Sequence, residues 1–134
     1  MEKIIYNDEF FINKYEKTQE EDWCIGNQTN RKGQHCALGF SNPVENDMAT
    51  QKEYDSLISI FELYHPVVTI IKNIGLNSYD SSGIERRGLY KIPAISNGET
   101  AEYTQDTPRK RMLAAMYHIQ QIRRTAEIKA GANK

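Results

Sequence analysis

Residues 107–131 read TPRKRMLAAMYHIQQIRRTAEIKAG, and this stretch decides the fold class. Thr107 is an N-cap residue, and Pro108 takes the first helical position, where its missing N–H is no loss. Met112, Ala115, Ile119, Ile122 and Ala126 then lie along one stripe, and Gly131 ends the segment. Arg109, Lys110 and Arg124 fall mostly away from that stripe on the helical wheel. A long amphipathic helix is expected, with its apolar side against a largely helical body.

Working outward, residues 76–106 are poor in periodicity. Asn97-Gly98 is a turn signal there, and a small strand or a single helical turn is expected around Ile92 to Ile95. Earlier in the chain, Leu57, Ile58, Phe61 and Tyr64 make an apolar helical face with Asn46 and Asp47 as candidate caps. Pro66 interrupts this pattern, either kinking one helix or opening another with Val67, Val68, Ile70, Ile71 and Ile74 buried and Gly75 at its C-terminal cap. Asn7 and Asp8 precede a first helix through Phe11, Ile12 and Tyr15. The segment WCIGNQTNRKG, residues 23–33, is dense in Asn, Gly and Thr and reads as a loop or an irregular hairpin. Cys36 then opens a short apolar piece that stops at SNP. The expected fold is mainly α. It is a compact single domain over residues 1–134, with about four or five helices, a short β-hairpin near residues 23–36 and a frayed tail at 131–134.

Composition narrows the class. With 134 residues, 39% hydrophobic and 26% charged, the chain has the balance of an ordinary globular protein and can bury a respectable core. The N-terminal stretch carries acids inside its apolar part, so no signal peptide is expected. The longest apolar run, PVVTIIKNIG, is broken by Thr69, Lys72 and Asn73 and is too short to span a bilayer. Two cysteines without an export signal point to free thiols in the cytoplasm of a bacterium or of an infected host cell. The net charge of -1 conceals an asymmetry. Residues 1–62 hold 12 acids and 6 bases, whereas residues 108–134 hold 7 bases and the single acid Glu127. Two ends that face each other, within the fold or across a dimer, explain this better than a basic arm for nucleic acid.

Each candidate chemistry has a plainer rival. Cys36 as a nucleophile would need His65 or His118 as base, with Asn97 orienting it, because His35 is adjacent in sequence and diverges. The preferred reading is that Cys36, Ala37 and Leu38 fill the core beneath Trp23, since free cysteine is among the most buried residue types. Cys24, His35 and Cys36 lack the paired spacing of a zinc site, and neither a metal nor a cofactor is expected. Arg31-Lys32 sits between two glycines but lacks the order of a P-loop, so an exposed loop is preferred to a phosphate site. Arg109, Lys110, Arg123 and Arg124 form a candidate binding surface, and with Gln120 and Gln121 they are also the candidate contacts to nucleic acid. No helix-turn-helix partner of suitable length precedes them. Trp23, Asn27, Asn30 and Asn97 are a candidate recognition pocket, although Trp23 as a core anchor is the favoured alternative.

Three patches taken together, DWCIGNQTNRKGQHCALGF, AISNG and YTQDTPRKRMLAAMYHIQ, resemble a family of small bacterial and phage proteins of unknown function. The resemblance rests on Trp23, Gly26, Gly33, Cys36, Ala37, Leu38, Gly39, Asn97, Thr107, Pro108, Leu113 and Ala114. Gly98 stands where that family usually carries an acid, which weakens the idea of a catalytic carboxylate there. The resemblance implies a compact domain in which the Cys36 segment packs on the Asn97 turn, and a phage or mobile-element origin. The reading that follows is a small non-enzymatic binding or regulatory protein acting through a protein partner or self-association. A thiol-dependent hydrolase or transferase, and a nucleic-acid binder using the basic helix, are the alternatives.

Overall fold

The computed structural model describes residues 3–64, 68–71 and 88–132. Among these, five α-helices form, and three of them begin where a side chain accepts an orphan N–H. Asn7 Oδ1 accepts from Phe10 N–H at 3.1 Å and opens α1 (Asp8–Glu16). Thr50 Oγ1 accepts from Glu53 N–H at 3.0 Å and opens α3 (Gln51–Tyr64). Thr107 Oγ1 accepts from Lys110 N–H at 3.2 Å and opens α5 (Pro108–Ala132). Between them lie α2 (Ala37–Ser41) and α4 (Gly88–Ser96).

Four expectations need correction. The cap of α3 is Thr50, not Asn46 or Asp47. Asn46 instead donates to Phe40 O at 2.8 Å and accepts from Met48 N–H at 3.1 Å, which ties the turn behind α2. The short piece expected around Ile92 to Ile95 is the nine-residue helix α4, whose apolar face was masked by Pro93 inside it. Residues 68–71 are not helical; Ile71 N–H bonds to Glu99 O at 2.8 Å and Ala101 N–H to Thr69 O at 2.9 Å, so they pair with the chain after α4. His65, Pro66, Val67, Ile74 and Gly75 lie outside the described residues. No hairpin forms over residues 23–36. Only isolated bridges join Trp23 and Thr29 to His35, because Asn30 Oδ1 takes the Lys32 and Gln34 N–H groups that a ladder would use.

The core sits where α1, α3, α4 and α5 meet. Phe11, Tyr15, Leu57, Phe61, Ile92, Ile95, Met112, Met116 and Ile119 are fully buried there, each contributing on the order of 1.5–3 kcal/mol of transfer free energy. A chain of rings, Phe11, Tyr15, Trp23 and Phe40, extends this core beneath the 23–36 loop. The stripe of α5 is buried as far as Ile119 and half-buried at Ile122, and residues 124–131 project with every side exposed.

The charge asymmetry is resolved inside the molecule. Arg123 clamps Asp8 through both carboxylate oxygens, at 2.6 and 3.1 Å, and so joins α5 to the start of α1. Arg109 donates to Tyr15 O and Glu16 O at 3.0 Å each, at the end of α1, and pairs with Glu20. Lys14 joins α1 to α3 through Glu53 at 2.5 Å. Arg111, 8% exposed, gives three hydrogen bonds to Ile95 O, Ser96 O and Gln105 O.

Removing Arg123 would leave the buried Asp8 carboxylate without its counter-charge. Arg123→Met should therefore cost about 1–3 kcal/mol in urea unfolding, the scale of a buried group left without its hydrogen-bond partner, and Asp8→Asn/Arg123→Met together should cost less than the sum of the two single changes. Additive losses would show that the clamp is not a coupled pair.

Candidate functional site

The site is assembled from loop backbone first. Trp23 is buried between Tyr15 and Phe40, and its Nε1 donates to Thr18 Oγ1 at 2.8 Å, which fixes the start of the loop. Cys24 N–H bonds to His35 O and His35 N–H to Asp22 O, both at 3.0 Å, while Cys36 N–H bonds to Gln28 O at 3.1 Å. Gln28 can lie this close only because Gly39 has no side chain; a Cβ there would stand 1.9 Å from the Gln28 carbonyl oxygen.

Asn97 closes the structure from the other side. α4 ends in a Schellman-type cap, with Gly98 at φ +75°, Gly98 N–H bonded to Ile95 O at 3.1 Å and Glu99 N–H to Ala94 O at 3.0 Å. This turn aims Asn97 at the loop, where its Oδ1 accepts from Gly26 N–H at 2.9 Å and its Nδ2 points to Glu99 at 3.4 Å. Two segments 71 positions apart are thereby pinned together.

Between them opens a cavity of about 340 Å³. The loop contributes Gly26, Asn27 and Gln28, the α2 end Cys36 and Leu38, α3 Tyr54, and α4 with its following turn Leu89, Tyr90, Pro93 and Asn97. Among the described residues, no Asp, Glu, Lys, Arg or His stands in this wall. A half-open cavity with aromatic surfaces and a few amides is the ordinary chemistry of a recognition site for an uncharged group.

The thiol is placed to pack. Cys36 occupies the N-cap position of α2 and is 4% exposed. Burial pushes its pKa above the ordinary thiol value, and the nearby N–H groups of Gly39 and Leu38 only partly counter that. Cys24 is pushed up as well, chiefly by burial, and its Sγ faces Asn27 O and Gln34 O at 3.4 Å. The two cysteines form no disulfide.

The candidate bases are elsewhere. His35 Nδ1 meets Thr29 Oγ1 at 2.7 Å and its ring lies against Phe40. His118 Nδ1 meets Tyr103 OH at 2.7 Å, and burial with Glu102 nearby pushes the Tyr103 phenol up to about 12. Neither imidazole lines the cavity, and His65 lies outside the described residues. The structure thus brings Cys36 and Asn97 together without an imidazole from the described residues, and the Asn97 amide is engaged with Gly26 rather than with a base.

The other candidate sets divide. Of the pocket group, Asn27 and Asn97 line the cavity, Asn30 lines a neighbouring groove, and Trp23 is the anchor beneath the loop. Of the basic group, Arg109 and Arg123 face inward, Lys110 pairs with Asp106 at 3.1 Å on the surface, and Arg124 is exposed and forms no ion pair among the described residues. Tyr54, Tyr90 and Gln28 were not singled out in the sequence. Tyr54 lies one turn before the apolar face of α3, and Tyr90 belongs to the helix that Pro93 concealed.

Among the described residues, no group of three or more His, Cys, Asp or Glu is placed to hold a metal ion, and no helix is long and apolar enough to cross a membrane. The chain matches no protein-family model, no curated protein and no solved structure.

Two measurements check this geometry. Gly39→Ala should destabilise the protein by more than about 2 kcal/mol, because the new Cβ meets backbone rather than a movable side chain. Iodoacetamide should alkylate Cys36 at least about tenfold faster in urea than in the folded protein, with little folded-state labelling below the ordinary thiol range near ~8.5. Rapid labelling of folded protein at neutral pH would contradict the buried placement.

Proposed function

We propose that this protein is a small non-enzymatic binding protein, with the cavity above Cys36 and Asn97 as its recognition site. The observation that carries this reading is the composition of the wall: amides, tyrosines and a thiol whose pKa burial raises, with no charged side chain and no imidazole among the described residues. An activated cysteine needs a base within hydrogen-bond reach or a lowered pKa, and Cys36 has neither among the described residues. The nucleic-acid reading needs outward cations, and Arg109 and Arg123 of α5 are engaged with α1.

On this reading the partner offers an uncharged, partly apolar group to the cavity. Asn97 is held in place beforehand by Gly26, so little ordering is needed on binding. A regulatory role in a phage or mobile element, in a reducing cytoplasm, is the setting we propose. The two free thiols and the patchwise resemblance of Trp23–Gly39, the Asn97 turn and the Thr107-Pro108 helix support it.

A titration of isotope-labelled protein with neutral ring probes such as benzamide tests the site. Amide shifts should concentrate at Gly26, Asn27, Tyr90 and Asn97, and Tyr90→Ala should weaken them by about tenfold or more, the scale of one lost aromatic contact. Shifts scattered over the surface would refute the site. A burst of p-nitrophenol from its acetate ester that disappears in Cys36→Ala would refute the non-enzymatic reading.

A further inference from the structure

The cavity is not isolated. Asn27 stands in two walls at once, that of the cavity and that of a shallow groove of about 540 Å³ formed with Thr29, Asn30, Arg31, Lys32 and Gln34. The hydrogen-bonding groups of both walls divide into those already engaged and those still available. Asn97 is held by Gly26, Gln28 Oε1 accepts from Asn42, Thr29 Oγ1 meets His35, and Asn30 is occupied by the loop backbone and Gln34. The Asn27 side-chain amide and the Gln28 Nε2 group make no hydrogen bond among the described residues.

The cations show the same contrast. Arg31 and Lys32 are exposed and form no ion pair among the described residues, unlike Arg109 and Arg123, which are paired across α1. The nearby Asp22 carboxylate turns back to accept from Gln19 N–H at 2.7 Å. The bonds from Asn30 Oδ1 to Lys32 and Gln34 N–H hold the loop that carries this basic pair. A cavity with aromatic surfaces, and with uncharged walls and unengaged amides among the described residues, therefore adjoins a positively charged edge, with Asn27 at the junction.

We infer that cavity and groove form one site for a free mononucleotide, with the base in the cavity and the phosphate at Arg31 and Lys32. This inference rests on the cavity being the recognition site. A nucleobase is uncharged at neutral pH, planar, and bears donors and acceptors along one edge. It suits stacking or packing on Tyr54 or Tyr90 and hydrogen bonding to Asn27 and Gln28. The phosphate carries the charge that the cavity wall cannot accommodate and that the loop can. A ring without an anion leaves the basic pair unused, and inorganic phosphate leaves the cavity empty, so each alone binds more weakly than the two joined.

The test is calorimetric and NMR titration of the full chain with the four ribonucleoside 5′-monophosphates, their nucleosides and inorganic phosphate, at low and high salt. At least one monophosphate should bind about tenfold or more tightly than its own nucleoside, shift the Asn27 and Asn97 amides together with Arg31 and Lys32, and lose most of that advantage at high salt. Arg31→Ala/Lys32→Ala removes only exposed side chains and should cancel the phosphate advantage while nucleoside binding persists. Monophosphates that bind no better than nucleosides, or whose advantage survives the double substitution, overturn the inference. In that case neutral ring probes still seated in the cavity would leave the binding-protein reading standing. Failure of both nucleotides and neutral probes to shift Asn27 and Asn97 would overturn both readings.

Discussion

Arg111 is the contact on which the rest turns. Its guanidinium is buried and donates to the last carbonyls of α4, Ile95 O and Ser96 O, and to Gln105 O just before α5. Burial pulls its pKa down, with Asp106 acting in the opposite direction, and the carbonyl partners hold a charge that would otherwise be costly to desolvate. By satisfying the end of α4, Arg111 sets where the helix stops and how the chain turns. Gly98 shows the tightness of that fit, since a Cβ there would lie 3.2 Å from the guanidinium carbon. The turn presents Asn97, Asn97 captures Gly26, and the loop is thereby held over α2. Core packing and cavity geometry are thus one chain of cause.

The same economy of charge runs along α5. A helix that begins with Arg109, Lys110 and Arg111 works against its own dipole. The cost is offset because Arg109 reaches the C-terminal carbonyls of α1, where positive charge is welcome, and Arg111 does the same for α4. Two of the three bases that begin α5 are thus caps for neighbouring helices. Arg124 of α5 and, on a different element, Arg31 and Lys32 of the loop are among the cations left facing water.

Cys36 illustrates how one residue type supports opposite readings. A thiol at a helix start invites activation, and the first N–H groups of α2 do lower its pKa somewhat. Desolvation wins, because α2 has only five residues, all buried, and the sulfur sits among Ala37, Leu38 and the aromatic rings of the core. Cys36 nonetheless forms part of the cavity floor, so it shapes what binds without the character of a nucleophile.

Local sequence determined the elements that carry their own signals. Asn7 and Thr107 mark helix starts, Asn97-Gly98 marks a turn, and the stripe from Met112 to Ile122 marks a helix; each depends on side chains within a few residues of the backbone they act on. The helical class and the mutual facing of the two oppositely charged ends followed from such signals and from simple charge counting. Tertiary structure alone decided the rest. Pro93 hid α4 because a single proline outweighs propensity locally, while burial of Ile92 and Ile95 outweighs the proline globally. Asn97 meets Gly26, Tyr54 and Tyr90 come to line one cavity, and Gly39 admits Gln28 only once separate segments have packed, and no periodicity records such placements.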